Sequence, residues 1–383
     1  MVTFSGLREL RERLLGFRPE TVAELTGLGR ARLEAIERGE APSVYELERL
    51  ADAYGVDPDI LWDEPIVVPA GHGVQALASL EEFQELGDMT RARVVRAANA
   101  ARDLVVLRRR LGVESGSLPA LRAPDHRAEP YRQGADLAHQ LRQKLGLGAA
   151  PIESMRDLVA AKLGAVAVLA ADLGRASRLA GLGFADTTRG PTVVLNRFGK
   201  NENAAVRRVS LAHELCHLFA DRTGEPLASI SGYLSEKGLE REQRANSFAV
   251  RFLCPEAVVR GLRTVREEDA MRVLMDEYKL PYQATRLYLR NEASIVLPEA
   301  EPGKLPDPLL EGRETLPAVF DFPLAEVPLE RRGVLAELAV RAWCRGLIPR
   351  DACARYLGVT PGHPIERVAD FFDEEPTSES IAG

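Results

Sequence analysis

The residues best placed to do chemistry lie in one pentapeptide, His213-Glu214-Leu215-Cys216-His217. On a helix, positions i and i+4 share a face, so both imidazoles can reach one metal ion. Glu214 projects from the adjacent face, near enough to serve a metal-bound water as general base. The flanking Val209, Leu211, Ala212, Leu215, Leu218 and Phe219 give this helix the continuous apolar surface that a buried helix requires. The chain has only six histidines, so a pair at metal-binding spacing is a specific signal.

Two histidines do not hold a catalytic zinc; a third protein ligand is needed, with one position left for water. Asp221 lies a further turn along the helix, too far for one ion to meet all three. Cys216 points away from the histidine face, and the next histidine is His363. A carboxylate on a separate helix is the better ligand. The stretch 239–249 supplies Glu242, with Asn246 four residues on and on the same face. Glu242 is the expected ligand, and Asn246 the expected acceptor for the second nitrogen of a ligand imidazole. Glu240 lies about 200° round the helix from Glu242, so both cannot face the metal. Zinc is the expected ion, with manganese as the alternative.

The elements that must position these residues follow from periodicity and punctuation. With 383 residues, 45% hydrophobic and 28% charged, the chain is long enough for two or three globular domains. The net charge of −7 argues against a protein built mainly to coat nucleic acid or an anionic membrane. No apolar run reaches the roughly 20 residues needed to span a bilayer. Four cysteines form no CxxC pair, so a reducing, cytoplasmic setting is the default. Residues 1–64 read as short helices, with Ser43 as N-cap and Glu46 three residues on for one of them. Residues 65–130 read as a helical spacer ending in Arg108-Arg109-Arg110 and a Pro/Gly/Ser stretch. In 131–292, strands are expected over 165–169 and 192–195, and long helices over 207–220 and 240–253. Seven prolines between Pro298 and Pro328 mark 293–328 as an extended linker. Residues 329–373 form a small helical unit, either a packing appendage or a second recognition element, and 374–383 a polar tail.

The run Arg207-Arg208-Val209-Ser210-Leu211-Ala212-His213-Glu214-Leu215-Cys216-His217-Leu218, then Glu242-x-x-Ala245-Asn246-x-Phe248-Ala249 and Leu253-Cys254-Pro255, resembles the ImmA/IrrE family of metallopeptidases. The resemblance implies a gluzincin-like α+β domain within a mostly α, multidomain chain. It implies His213, His217 and Glu242 as metal ligands and Glu214 as base. Substrates of that family are helix-turn-helix repressors in bacterial stress and mobile-element circuits. The strand Thr192-Val193-Val194-Leu195-Asn196 matches the family layout, so Val193, Val194 and Leu195 are expected to form an edge strand that holds an extended substrate. Tyr233 is a candidate oxyanion donor, with an ordinary loop tyrosine as the alternative reading.

Residues 7–62 resemble an Xre/Cro-type helix-turn-helix domain through Val22-Ala23-x-x-x-Gly27-Leu28, Leu33-x-x-Ile36-Glu37-Arg38-Gly39 and Leu47-x-x-Leu50-Ala51. If this domain binds DNA, the helix opening at Gly29 enters the major groove, and Arg30 and Arg32 are its readers. Two features weigh against strong reading. Pro19 stands where the family commonly has glutamine, and residues 1–64 carry eight arginines against fourteen acidic residues. Docking to another helix-turn-helix protein and a purely structural cap are the rivals. The expected function is a zinc metallopeptidase that cleaves a partner protein, a helix-turn-helix repressor or antitoxin. The alternative is a DNA-binding regulator whose metal domain senses or scaffolds.

Overall fold

The computed structural model describes residues 6–62, 66–68, 73–113, 116–125, 127–186, 188–221, 228–231, 239–299, 307–308, 310, 314 and 321–375. The chain is mostly helical, with one four-stranded sheet among the described residues.

The N-terminal bundle comprises α1 (Gly6–Glu9), continuing as a wide turn over Leu10–Leu15, then α2 (Pro19–Thr26), α3 (Arg30–Glu37), α4 (Val44–Tyr54) and α5 (Pro58–Trp62). Pro19 sits in the first turn of α2, where its missing N–H costs nothing. Ser43 and Glu46 form a reciprocal capping box that starts α4. Gly55 ends α4 at φ 71°, and an added Cβ there would lie 2.9 Å from Val95 Cγ1 on the next long helix. Glycine therefore serves both the left-handed cap and the close approach. Leu7, Leu15, Val22, Leu33, Ile36, Leu50 and Tyr54 fill the bundle core. Arg11 and Glu37 pair inside it through two hydrogen bonds of 2.6 and 3.0 Å.

After the short α6 (Gly73–Ala78) and α7 (Glu81–Gln84) comes α8 (Asp88–Arg110), in the segment expected to be a spacer. It is instead the beam of the molecule. Ala92, Ala97, Ala98, Ala100 and Ala101 are buried, and such small side chains let neighbours close on several sides. The bundle packs on one side, the sheet on another, and the C-terminal helix Val334–Cys344 on a third, with Arg350–Leu357 and Glu366–Phe371 packed against that helix. Buried Arg331 ties three of these parts together. It donates to Asp103 on α8 at 2.8 Å, to the Tyr356 carbonyl at 2.8 Å and to Asp52 on α4 at 3.4 Å. The unit expected at 329–373 is thus packed against both α8 and the bundle.

The sheet contains β1 (Ala167–Ala171), β2 (Gly181–Asp186), β3 (Gly190–Asn196) and β4 (Ala228–Ser231), in the order β1-β3-β2-β4. β1 runs parallel to β3; the other pairs are antiparallel. Leu169, Leu182, Phe184 and Val194 face the core shared with α8, whereas Val193 and Leu195 face a second core. This corrects the edge-strand expectation. Val194 is paired with Leu169 on one side and Leu182 on the other, and Val193 and Leu195 are flanked likewise. β3 therefore has no free backbone edge for a substrate. β2, Gly-Leu-Gly-Phe-Ala-Asp, carries two glycines that hide its strand character, and so the neighbour of β3 is not evident in the sequence.

The second core is built by α9 (Pro130–Lys144), α10 (Met155–Lys162), α11 (Ala204–Ala220), α12 (Leu239–Leu253), α13 (Glu256–Gly261), α14 (Glu267–Arg272) and α15 (Tyr282–Ala293). Asn203 starts α11 by accepting from the Ala205 N–H at 2.8 Å. α9 and α12 lie very close at Gly134, where any Cβ would collide with the Arg244 carbonyl and sit 2.8 Å from the Phe248 nitrogen. Several described residues of the proline-rich segment reach this domain, among them Pro298, whose carbonyl accepts from the Tyr282 hydroxyl at 2.9 Å. Asp307 accepts from the Tyr282 N–H and the Asn203 amide, and Glu314 pairs with fully buried Arg208 at 2.6 Å. No helix among the described residues is long and apolar enough to cross a membrane.

Candidate metal centre

α11 and α12 cross so that His213, His217 and Glu242 converge. The two Nε2 atoms are 3.1 Å apart, and each lies 3.3 to 3.4 Å from an oxygen of Glu242. The three ligand atoms lie within 4.8 Å of one another. Alanines on α12 permit this approach: Ala245 and Ala249 are fully buried between the helices. The sequence expectation of Glu242 on a separate helix corresponds to where the fold puts it.

Each imidazole has its other nitrogen occupied. His213 Nδ1 lies 3.0 Å from Asn246 Oδ1, and His217 Nδ1 lies 2.6 Å from Asp221 Oδ2. With Nδ1–H donating to these oxygens, both Nε2 lone pairs turn toward the shared centre. Two nitrogens and a carboxylate, with the cleft on the open side, fit the donor set of a catalytic zinc.

The electrostatics favour a cation at this point. Burial opposes a charge on His217, but hydrogen bonds to Asp221 and Glu242 outweigh it and push the imidazole up to about 10. Burial likewise works against ionised Glu242, yet its bonds to His213 and His217 hold it well below the usual carboxylate range. Without a metal, a proton supplies the positive charge these carboxylates demand. A metal ion bound there would compete with a proton for this position.

Glu214 is fully buried beside the ligands. It is confined by Gly181 on β2, where a Cβ would lie 2.9 Å from Glu214 Oε1 and 3.0 Å from the Val194 carbonyl. Only glycine leaves room for the carboxylate at this position. Beyond it opens a cleft of about 1020 Å³, with His213, Glu214 and Glu242 in its lining beside Val209, Val250 and Leu287.

Three residues of this centre were missed in the sequence or misjudged. Asp221, too far along α11 to join the metal ligands, lies behind His217. The signal was present, since His217 and Asp221 are themselves i and i+4 on α11. Gly181 and Arg244, which pairs with Asp221, carry no local signal at all. Tyr233 lies outside the described residues.

The candidate DNA readers sit apart from this centre, on α3. Arg30 pairs with Glu34 at 2.7 Å and Glu20 at 2.5 Å. Arg32 pairs with Glu46 at 2.7 Å and Glu40 at 3.0 Å. Of the basic run ending α8, Arg108 is partly buried and 3.5 Å from the Ala165 carbonyl, so it is not a free surface charge.

Comparison with known families agrees with both parts of this architecture. Residues 6–61 match the model of a helix-turn-helix domain, and residues 173–290 match that of the IrrE N-terminal-like domain, a peptidase family. The chain joins a helix-turn-helix domain to an IrrE N-terminal-like domain. No curated protein and no solved structure matches it. The IrrE-like match covers β2, β3, α11 and α12, and so includes all three converging residues and Glu214. It begins after α9, α10 and β1, although these belong to the same folded body. The IrrE-like domain is thus a metallopeptidase-type domain carried beside a DNA-binding-type domain.

Proposed function

We propose that this protein is a cytoplasmic regulator that hydrolyses a partner protein at the metal centre, the partner being a helix-turn-helix repressor or antitoxin in a stress or mobile-element response. The observation that carries the reading is the convergence of His213, His217 and Glu242 with buried Glu214 at one end of an open cleft. A zinc ion held there would polarise a carbonyl and bring the pKa of its water to about 7. Glu214 is the general base: it takes a proton from water and returns it to the leaving amine. Asn246 and Asp221 hold the ligand imidazoles in the tautomer that presents Nε2. Because β3 is interior, an extended substrate would add to β4, which pairs Ser231 with Gly181 beside Glu214.

The second reading is a DNA-binding regulator whose metal domain senses or scaffolds; it draws on the helix-turn-helix match. The two separate on metal dependence. Full-length protein loaded with zinc, or with manganese, is incubated with candidate helix-turn-helix repressors, beginning with any encoded in a neighbouring reading frame. Fragments are expected from the parent protein, none from His217→Ala, and none from Glu214→Gln although that variant keeps its metal. Normal cleavage by Glu214→Gln would overturn the mechanism. If Arg30→Ala and Arg32→Ala abolish operator binding while Glu214→Gln leaves regulation intact, the second reading holds.

A further inference from the structure

The two imidazoles of the metal centre are supported by very different groups. Behind His213 stands Asn246, a neutral amide on an exposed residue. Behind His217 stands Asp221, a carboxylate whose side chain is 6% exposed, at a distance of 2.6 Å. The other Asp221 oxygen accepts from Arg244 Nη2. Arg244, 7% exposed in its side chain, donates through Nη1 to Gln133 Oε1 at 3.0 Å. The amide of Gln133 is anchored in turn on the Ala128 carbonyl at 2.8 Å. Gln133 belongs to α9, and the chain of contacts closes because Gly134 lets α9 approach the backbone of α12.

We propose that Gln133, Arg244 and Asp221 form a positioning relay that makes His217 the dominant ligand for metal retention, with His213 and Asn246 the weaker side. The proposal rests on the metal-binding part of the functional reading and not on hydrolysis. Its physical basis is that a charge-assisted hydrogen bond is shorter and about twice as strong as a neutral one. Arg244 fixes the second oxygen of Asp221, so the first is aimed at His217 Nδ1 with little freedom left to lose. Among the described residues, nothing comparable restrains Asn246. The relay also extends the working site to α9, which lies before the segment 173–290 matched by the IrrE-like model.

The test uses the full chain. Zinc affinity is measured by chelator competition for the parent protein, Asp221→Asn, Asn246→Ala and Gln133→Met. Asp221→Asn is expected to weaken zinc binding about 10- to 100-fold, the usual range for loss of such a supporting group. Asn246→Ala is expected to lose at least about fivefold less than that. Side-chain histidine NMR of the zinc-loaded protein supplies a readout that general destabilisation does not move. The His217 Nδ1–H signal should broaden or shift in Asp221→Asn while that of His213 stays in place. Gln133→Met, which leaves the Asp221–Arg244 pair intact, should perturb the His217 signal alone and serves if Asp221→Asn does not fold. Equal losses in Asp221→Asn and Asn246→Ala, or a larger loss in the latter, would overturn the relay. So would an unmoved His217 signal in Gln133→Met. A parent protein that binds no zinc would sink the relay together with the functional reading, whereas zinc binding without the expected ranking would sink the relay alone.

Discussion

Two helices of this chain present polar residues in opposite ways. On α3, both arginines are met by carboxylates of their own domain: Arg30 by Glu20 and Glu34, Arg32 by Glu40 and Glu46. On α11, both histidines are met from a different helix by Glu242, and Asp221 and Asn246 occupy their far nitrogens. The first arrangement satisfies its charges at the surface and leaves little positive potential for a phosphate. The second gathers acceptors around an interior point and leaves a demand for a cation. The helix-turn-helix is well formed, while Arg30 and Arg32 of α3 already have carboxylate partners within the domain.

The contrast can be broken or sharpened by substitution, and the largest effect on cleavage is expected at Gly181. Gly181→Ala puts a methyl 2.9 Å from Glu214 Oε1 and must move that carboxylate. Cleavage should fall at least about 100-fold, since misplacement by about 1 Å at a reacting group costs that much. Zinc content by elemental analysis should stay at the parent level; parent-like cleavage would mean the base is not held by β2.

Next is the tie that Arg331 makes among α8, the bundle and the C-terminal helices. Arg331→Met leaves the buried Asp103 carboxylate with Arg102 alone, at 3.4 Å, so the cost approaches but should not exceed the roughly 3–5 kcal/mol of breaking a buried pair. Urea denaturation should show that loss, with the helix-turn-helix region and the C-terminal helices melting together. An unchanged midpoint would mean the bundle does not depend on this tie.

A smaller effect is expected in acid. Burial opposes ionisation of Asp88, but donors from Arg18, Arg91 and Thr21 outweigh it and hold its carboxyl down at about 2, from an ordinary 3.8. A lowered folded pKa contributes stability that is present above 3.8 and is lost as pH falls through about 2. Asp88→Asn should therefore flatten the stability profile in that window and leave its shape near neutral pH unaltered. Thermal melts across the acid range test this.

The smallest effect bears most directly on the contrast. Replacing Glu20 and Glu34 by glutamine frees Arg30 of both its partners. Duplex-DNA binding followed by anisotropy should then steepen in its salt dependence by about one unit of slope, the signature of one added phosphate contact. No change would show that α3 does not face DNA at all.

Much of the metal centre was legible because its information is local. The spacing of His213 and His217 puts them on one helix face wherever that helix lies, and Glu242 with Asn246 repeats the device on a second helix. The capping box at Ser43 and Glu46 is legible for the same reason. The rest depends on what meets across space. Whether β3 is an edge or an interior strand turns on β2, a strand that its glycines disguise. The role of α8 as beam rather than spacer turns on which surfaces close over its alanines. The restraint on Glu214 comes from Gly181, and that on His217 from Arg244 and Gln133, each on a different element.

The sequence by itself determined that His213 shares a helix face with His217, and Glu242 with Asn246, because helical periodicity converts spacing into a shared face without help from the rest of the chain. Only the tertiary structure decided which side chain stands behind each histidine, that β3 is interior, and that the arginines of α3 are already paired. Those outcomes depend on distances between segments far apart in the chain, and such distances are set by packing.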